Sequence, residues 1–238
     1  MKKITINDIL LWENDDYLLV NKPAGISSLD DRDATRACII QIVRQYQPQA
    51  QLCHRLDKET SGVLAIAKHA DAYRHLAIQF ERRQVQKLYH AVALGIHKFE
   101  NKKVTLPIAI SSKGNARIDS LEGKPAETIF NTLDTYKYHT LVACEPITGR
   151  MHQIRIHLAC LKAPIVADKM YGGVDIFLSD LKKKFNLKCN TEELPLIQRV
   201  ALHAYSLQFK GLDEQTIKVT APYPKDIRAL INQLEKNR

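Results

Sequence analysis

The sequence has 238 residues, and its 35 Lys+Arg against 26 Asp+Glu leave a formal net charge of +9. One sizeable domain is the expectation at this length, since single cores run to about 200–250 residues; a 45% hydrophobic fraction with nine Gly and nine Pro excludes disordered, fibrous and linker-rich classes. No apolar run approaches the ~20 residues of a membrane-spanning helix, and the N-terminus meets Glu13, Asp15 and Asp16 before any long apolar stretch, so no secretory leader is expected.

In chain order, residues 9–20 read as two short apolar runs around an acidic turn, and Asn21-Lys22-Pro23-Ala24-Gly25 breaks the pattern. From Asp33 to Tyr46 the positions Cys38, Ile39, Ile42, Val43 and Tyr46 keep helical spacing. Gly62 to Ala67 is a short apolar run typical of a buried strand, and Asp71 is placed to cap a helix with Tyr73, Leu76, Ala77 and Phe80 on one face. Strand-like runs follow at 85–94, 104–110, 127–133 and 139–145, with a polar loop from Lys113 to Pro125. Met151, Ile154, Leu158 and Leu161 predict one apolar helical face. Asp175 to Pro195 reads as a polar insertion whose Lys182-Lys183-Lys184 run suits a solvated surface as well as an RNA contact. Residues 200–209 alternate, and Ile227, Leu230, Ile231 and Leu234 predict a closing amphipathic helix. Strands outnumber helices and often follow one another directly, which predicts an α+β fold rather than a βαβ repeat.

Five scattered cysteines (Cys38, Cys53, Cys144, Cys160, Cys189) without a C-x-x-C pair fit reduced cytosolic thiols better than a disulfide framework or a zinc site. The basic balance suits a polyanion such as nucleic acid, although many soluble proteins are basic with no such partner. The richest polar cluster is His54-Arg55-Leu56-Asp57-Lys58-Glu59-Thr60-Ser61-Gly62, directly before the apolar strand. An Asp there, held ionised by a nearby Arg, can act as nucleophile or base; the alternative is an Arg–Asp pair that only fixes a loop. A second cluster runs from Thr148 to His157, with His152 and Arg155 on a shared flank at a helix start, where backbone N–H groups favour anions. A solvent-facing polar flank is its plainer reading. Phosphate-binding, dinucleotide-binding, zinc-protease and serine-elbow motifs are absent. His152 and His157, five apart, face different sides of a helix, which argues against paired metal ligation, and Ser61 suits a turn better than a hydrolase nucleophile.

Six ordered segments resemble the RluA-type family of RNA pseudouridine synthases: Val20 to Gly25 (V-N-K-P-x-G), His54 to Asp57 with Thr60 to Gly62 (H-R-L-D-x-x-T-S-G), Lys87 with Tyr89 (K-x-Y-x-A), Thr148 to His157 (T-G-R-x-H-Q-x-R-x-H), Pro164 to Asp168 with Tyr171-Gly172 (P-I-x-G-D-x-x-Y-G), and Leu202 to Ala204 (L-H-A). Met151 stands where Thr or Ser is usual and Ala167 where Gly is usual. The resemblance, strongest over 20–204, implies one catalytic domain over 1–238 with a mixed, mostly antiparallel central sheet flanked by helices and loops, and a cleft across its middle. It implies conversion of uridine in ribosomal or transfer RNA to pseudouridine, with no metal or organic cofactor. Asp57 matches the catalytic carboxylate, Arg155 the arginine that pairs with it, and Tyr89 the ring on which the uracil stacks. Arg55 matches the residue that enters the helix as the base flips out. Arg150, His152 and Gln153 are expected to contact the RNA backbone or to support the site. With only about 20 residues ahead of the N-K-P-x-G segment, no S4 domain is expected. A cytoplasmic monomer acting on RNA, away from membranes, is the expectation; the competing class is a catalytically idle RNA-binding or chaperone module of the same fold.

Overall fold

The computed structural model describes residues 4–29, 38–111, 115–182, 184–187 and 192–238. Asp33, Lys113, Lys183 and Cys189 lie outside the described residues. In chain order the elements are α1 (Ile6–Ile9), β1 (Leu10–Glu13), β2 (Tyr17–Lys22), α2 (Ile39–Arg44), β3 (Gln51–Leu52), β4 (Ser61–Ala67), α3 (Ala70–Glu81), β5 (Gln86–Leu94), β6 (Lys102–Val104) and β7 (Ile108–Ile110). There follow β8 (Ala116–Ile118), β9 (Thr128–Thr135), β10 (His139–Pro146), α4 (Gln153–Cys160), a 3-10 turn (Lys169–Tyr171), α5 (Leu178–Leu181), β11 (Leu202–Lys210), β12 (Thr216–Thr220) and α6 (Lys225–Lys236). The fold is α+β. Two compact units divide the chain: Met1–Tyr89 with His203–Pro222, and His90–Leu202 with Tyr223–Arg238.

The first unit is built on β4, a wholly buried strand with β2 antiparallel along one edge. Its other edge pairs with β11 in parallel through Ser61 and Gly62, and with β3 antiparallel through Ile66 and Ala67. β1 and β12 extend this mixed, mostly antiparallel arrangement by pairing with β2 and β11. Strand alternation sorts the apolar side chains onto two faces. Leu18, Val20, Leu64 and Ile66 pack with Ile39, Ile42 and Val43 of α2. Tyr17, Leu19, Val63 and Ala65 pack with Ala72 and Leu76 of α3. The acidic turn between β1 and β2 closes on the Asn14 side chain, whose Oδ1 accepts from the N–H groups of Asp16 and Tyr17 at 3.0 and 2.7 Å.

In the second unit β10 pairs antiparallel with β9, β9 with β6, and β7 with β8. Ile156 of α4 joins Ile108, Ala116 and Ala126 in a small core against which Met151 packs. The expected closing helix is α6, burying Ile227, Leu230 and Leu234.

Several expectations need correction. His69, not Asp71, caps α3 by accepting from the Ala72 N–H at 3.4 Å. The buried line of that helix is Ala72, Leu76 and Gln79, with Tyr73 exposed; Gln79 exchanges hydrogen bonds with the Lys210 backbone at 2.8 and 2.9 Å. The 104–110 run splits into β6 and β7 around Pro107, which has no N–H for a ladder. The loop ending at Pro125 contains β8, and the 175–195 insertion buries Ile176 and Leu181. The polar helix begins only at Gln153; Met151 belongs to the preceding turn, and His152 sits just outside with φ 53°.

Candidate active site

In the first unit the loop bearing Asp57 is stitched on both flanks to residues 22–28. The Ser28 hydroxyl donates to the Leu56 carbonyl at 2.9 Å and accepts from the Leu56 N–H at 3.1 Å. On the other flank, the Lys58 carbonyl accepts from the Gly25 N–H at 2.8 Å and from Lys22 Nζ at 3.1 Å. Lys22 is wholly buried, and its ammonium also donates to the carbonyls of Pro23 and Ile26 at 3.0 and 2.8 Å. Three donors thus meet three carbonyl oxygens, which is how a buried cation is tolerated. The Thr60 N–H then donates to the Asp57 carbonyl at 3.1 Å, closing a turn that delivers the chain into β4.

That delivery depends on Gly62. Its φ is +119°, and a Cβ there would lie 2.1 Å from the Ala204 carbonyl oxygen. Beside it, Ser61 Oγ and His203 Nδ1 are 2.9 Å apart, both residues wholly buried, and His203 Nε2 lies 3.2 Å from the Ala221 carbonyl. A carbonyl accepts only, so Nε2 carries the proton and Nδ1 accepts from the Ser61 hydroxyl.

Asp57 is half-buried and Arg55 exposed. Tyr89, near the middle of β5, packs against the Leu18–Leu64 face of the core. Burial pushes the Tyr89 phenol well above its ordinary range, and the Asp57 carboxylate adds to that push. The phenol therefore stays protonated beside the carboxylate, a donor rather than a second anion. His54 is of a different kind: its Nε2 accepts from the Ala65 N–H at 3.0 Å and its ring lies 4.8 Å from Phe80. Burial, then the Lys87 charge, hold the imidazole down to about 3. It is a neutral structural acceptor.

The second unit gathers the other predicted residues around the start of α4. Arg155 is buried and forks onto Asp168, Nε to Oδ2 and Nη2 to Oδ1, both at 2.7 Å. Its guanidinium lies 5.1 Å from the Tyr171 ring centre. His152 Nδ1 is 2.9 Å from the Tyr171 hydroxyl, which itself donates to the Ala116 carbonyl at 3.2 Å. Arg150 is half-buried, its Nε donating to the Pro125 carbonyl at 3.1 Å.

Gln153 is buried and fully engaged: its amide nitrogen donates to the Glu127 carbonyl and Thr128 hydroxyl at 2.8 and 2.9 Å. Its oxygen accepts from Thr148 Oγ1 and the Arg150 N–H at 2.6 and 3.0 Å. His157, also buried, lies between the Thr128 hydroxyl and the Leu106 carbonyl, each 2.9 Å away. Sequence reasoning gave no roles to Lys22, Ser28, Asp168 or His203, although each lies in or beside a quoted motif. The signal was a charged or hydroxyl residue set among turn formers or apolar neighbours. Among the described residues no group of three or more His, Cys, Asp or Glu side chains is placed to hold a metal ion. No helix there is long and apolar enough to cross a membrane.

Residues 16–160 match the family model described as RNA pseudouridylate synthase. The ribosomal large subunit pseudouridine synthase C of Vibrio vulnificus is 32% identical over 241 residues, covering 100% of this chain and 72% of the relative. The protein of that name from Escherichia coli K12 is 34% identical over 246 residues, covering 100% and 73%. Among solved structures, human RNA pseudouridylate synthase domain containing 4 superposes with a TM-score of 0.74 at 22% identity, covering 97% of this chain and 94% of that one, a likeness of fold.

Proposed function

Since the chain belongs to the RNA pseudouridylate synthase family, we propose that it isomerises uridines of large-subunit ribosomal RNA with Asp57 as its catalytic carboxylate. The observation that carries the assignment is the loop itself: both neighbours of Asp57 are pinned by hydrogen bonds from residues 22–28, and the protonated Tyr89 phenol lies close enough to feel the carboxylate's charge. A carboxylate fixed in this way is preorganised for the reacting sugar or base. The ribosomal substrate is carried by the names of the relatives, which are ribosomal large subunit enzymes.

The reaction breaks the bond from C1′ to N1 of the uracil, turns the base, and forms a bond from C1′ to C5; C5 gives up its proton and N1 takes one up. Asp57 supplies the charged group at the reacting nucleotide. Tyr89 offers a flat ring for the detached uracil and a hydroxyl near the carbon that is rejoined, whose oxygen can take up the C5 proton as its own proton passes on. Arg55, exposed on the same loop, is suited to fill the space that a flipped uridine leaves in the RNA stack. The resemblance assigns Arg155 to keep the carboxylate ionised, and the fork to Asp168 fixes the guanidinium plane that such a role needs. Arg150 and His152 are proposed as contacts to the RNA backbone. Residues 1–238 are taken as one catalytic domain working as a monomer in the cytoplasm. Family membership sets the idle-module reading aside, because relatives matching the whole chain are named for the activity.

The test is tritium release from ribosomal RNA labelled at uracil C5. Wild type should release label and Asp57→Asn should not; equal release by both would remove Asp57 from the mechanism.

A further inference from the structure

The basic surface at the end of α3 has no part in the chemistry above. Arg82 and Arg83 follow the last residue of the helix and both are exposed. Neither makes an ion pair among the described residues, and the same holds for Arg55. Backbone bonds fix this end: the Arg83 N–H donates to the Phe80 carbonyl at 3.2 Å and the Gln84 N–H to the Gln79 carbonyl at 2.9 Å. Arg83 has φ 59°, a left-handed conformation that glycine adopts more readily. Phe80, in the last turn, meets the His54 ring at 4.8 Å, and His54 adjoins Arg55. The chain then enters β5, where Lys87 and Tyr89, two apart on a strand, lie on one face. The helix end, the Asp57 loop and the Tyr89 strand are therefore neighbours within the first unit.

We infer that Arg82 and Arg83, with Lys87, form the surface that takes the RNA phosphodiester backbone on one side of the target uridine. The inference rests on the function proposed above. A nucleotide seated at Asp57 and Tyr89 carries a phosphate on each side, and guanidinium groups match phosphate oxygens two at a time. Asp57, Glu59 and Glu81 are the acidic residues of the same stretch, outnumbered by Arg55, Lys58, Arg82, Arg83 and Lys87. Burial first, then the Arg83 charge, hold the Lys87 ammonium down to about 8, so a phosphate placed there would relieve the repulsion between the two cations.

The experiment compares wild type, an Arg82→Gln/Arg83→Gln variant, and an Arg228→Gln/Lys236→Gln variant that removes equal charge from exposed positions on α6. Binding of a fluorescein-labelled large-subunit ribosomal RNA fragment is followed by anisotropy from 50 to 300 mM salt. Tritium release is measured at saturating RNA. Loss of two phosphate contacts should weaken binding about tenfold and flatten the log–log salt slope by roughly 1.4–1.8, with kcat within about twofold of wild type. The α6 variant should keep the wild-type slope. An unchanged slope in the Arg82/Arg83 variant, or an equal change in the α6 variant, would overturn the assignment. Should wild type release no tritium while the slopes still differ as described, the proposed function falls and the RNA surface stands.

Discussion

Replacing Gly62 with alanine tests whether close strand approach positions the Asp57 loop. The added Cβ would sit 2.1 Å from the Ala204 carbonyl oxygen and 2.7 Å from the Ala204 carbonyl carbon and nitrogen. Close C···O contacts run at about 3.3–3.6 Å, so the parallel pairing of β4 with β11 must open by roughly 1.2–1.5 Å. Holding alanine at φ +119° adds about 1–3 kcal/mol of backbone strain. Drawing Ser61 away from His203 breaks the hydrogen bond between a buried hydroxyl and a buried imidazole, about 1–3 kcal/mol more. A loss of ~2–6 kcal/mol lowers Tm by about 4–24 °C for a chain of this size. Ser61 and Gly62 lie four and five residues from Asp57, so a shift of order 1 Å reaches the carboxylate. Misplacement of that size costs on the order of 100-fold in kcat. Scanning calorimetry and tritium release on the same preparations measure both effects. A variant with wild-type Tm and turnover would refute the reasoning, and a lowered Tm with unchanged kcat would refute its positioning half.

Lys22→Met strips the Pro23, Ile26 and Lys58 carbonyls of a shared donor; urea melts should show a loss of about 2–4 kcal/mol, and turnover should fall with it because one carbonyl adjoins Asp57. Asp168→Asn removes the charged half of the buried fork on Arg155, a loss of about 3–5 kcal/mol in the same measurement; a neutral outcome would mean that the fork is incidental. His54 is held down to about 3 in the folded protein, against about 6.5 when unfolded, so below pH 6.5 the unfolded chain takes up a proton that the folded one refuses. Stability should fall as pH drops from about 6.5 toward 3, by up to ~1.4 kcal/mol per unit from this group, with no contribution above that window. His54→Gln, which keeps an acceptor for the Ala65 N–H, should flatten that dependence in melts at pH 7, 6 and 5; an identical pH slope would exclude His54 as its source.

Elements dominated by apolar period were legible in the sequence. β4 is a wholly buried apolar run, and α6 repeats apolar residues every three to four positions, so burial and pattern agree. What escaped was set by partners rather than by local pattern. β8 is three residues whose strand character comes from pairing with β7. The face of α3 rotated because Gln79 satisfies its amide on the Lys210 backbone, far along the chain, and so displaces Tyr73 as a buried position. Ala167 makes the same point for a departure from the family pattern. Its φ is 62°, which explains why glycine is usual there and why alanine is a local backbone penalty rather than a change in chemistry.

The two polar clusters differ most in what their sequence density means. Around Asp57 the side chains alternate in exposure: Arg55 and Lys58 reach solvent while Leu56 and Thr60 are buried. The Leu56 and Lys58 backbone groups on either side of Asp57 are held by residues 22–28. From Gln153 to Leu158 every residue is buried, so the plainer reading of a solvent-facing flank does not hold along this helix. Arg155 forks onto Asp168, His157 spans Thr128 and Leu106, and Gln153 joins Glu127, Thr128, Thr148 and Arg150. Buried polar groups are tolerated only when satisfied, and each satisfied group fixes its neighbours. A dense polar helix therefore does not imply a wet one. Here the density rigidifies one guanidinium, and replacing Arg155 with lysine, which keeps the charge but loses the fork, separates orientation from charge. Retained charge without retained activity would identify the plane of the guanidinium, rather than its charge alone, as what the buried network supports.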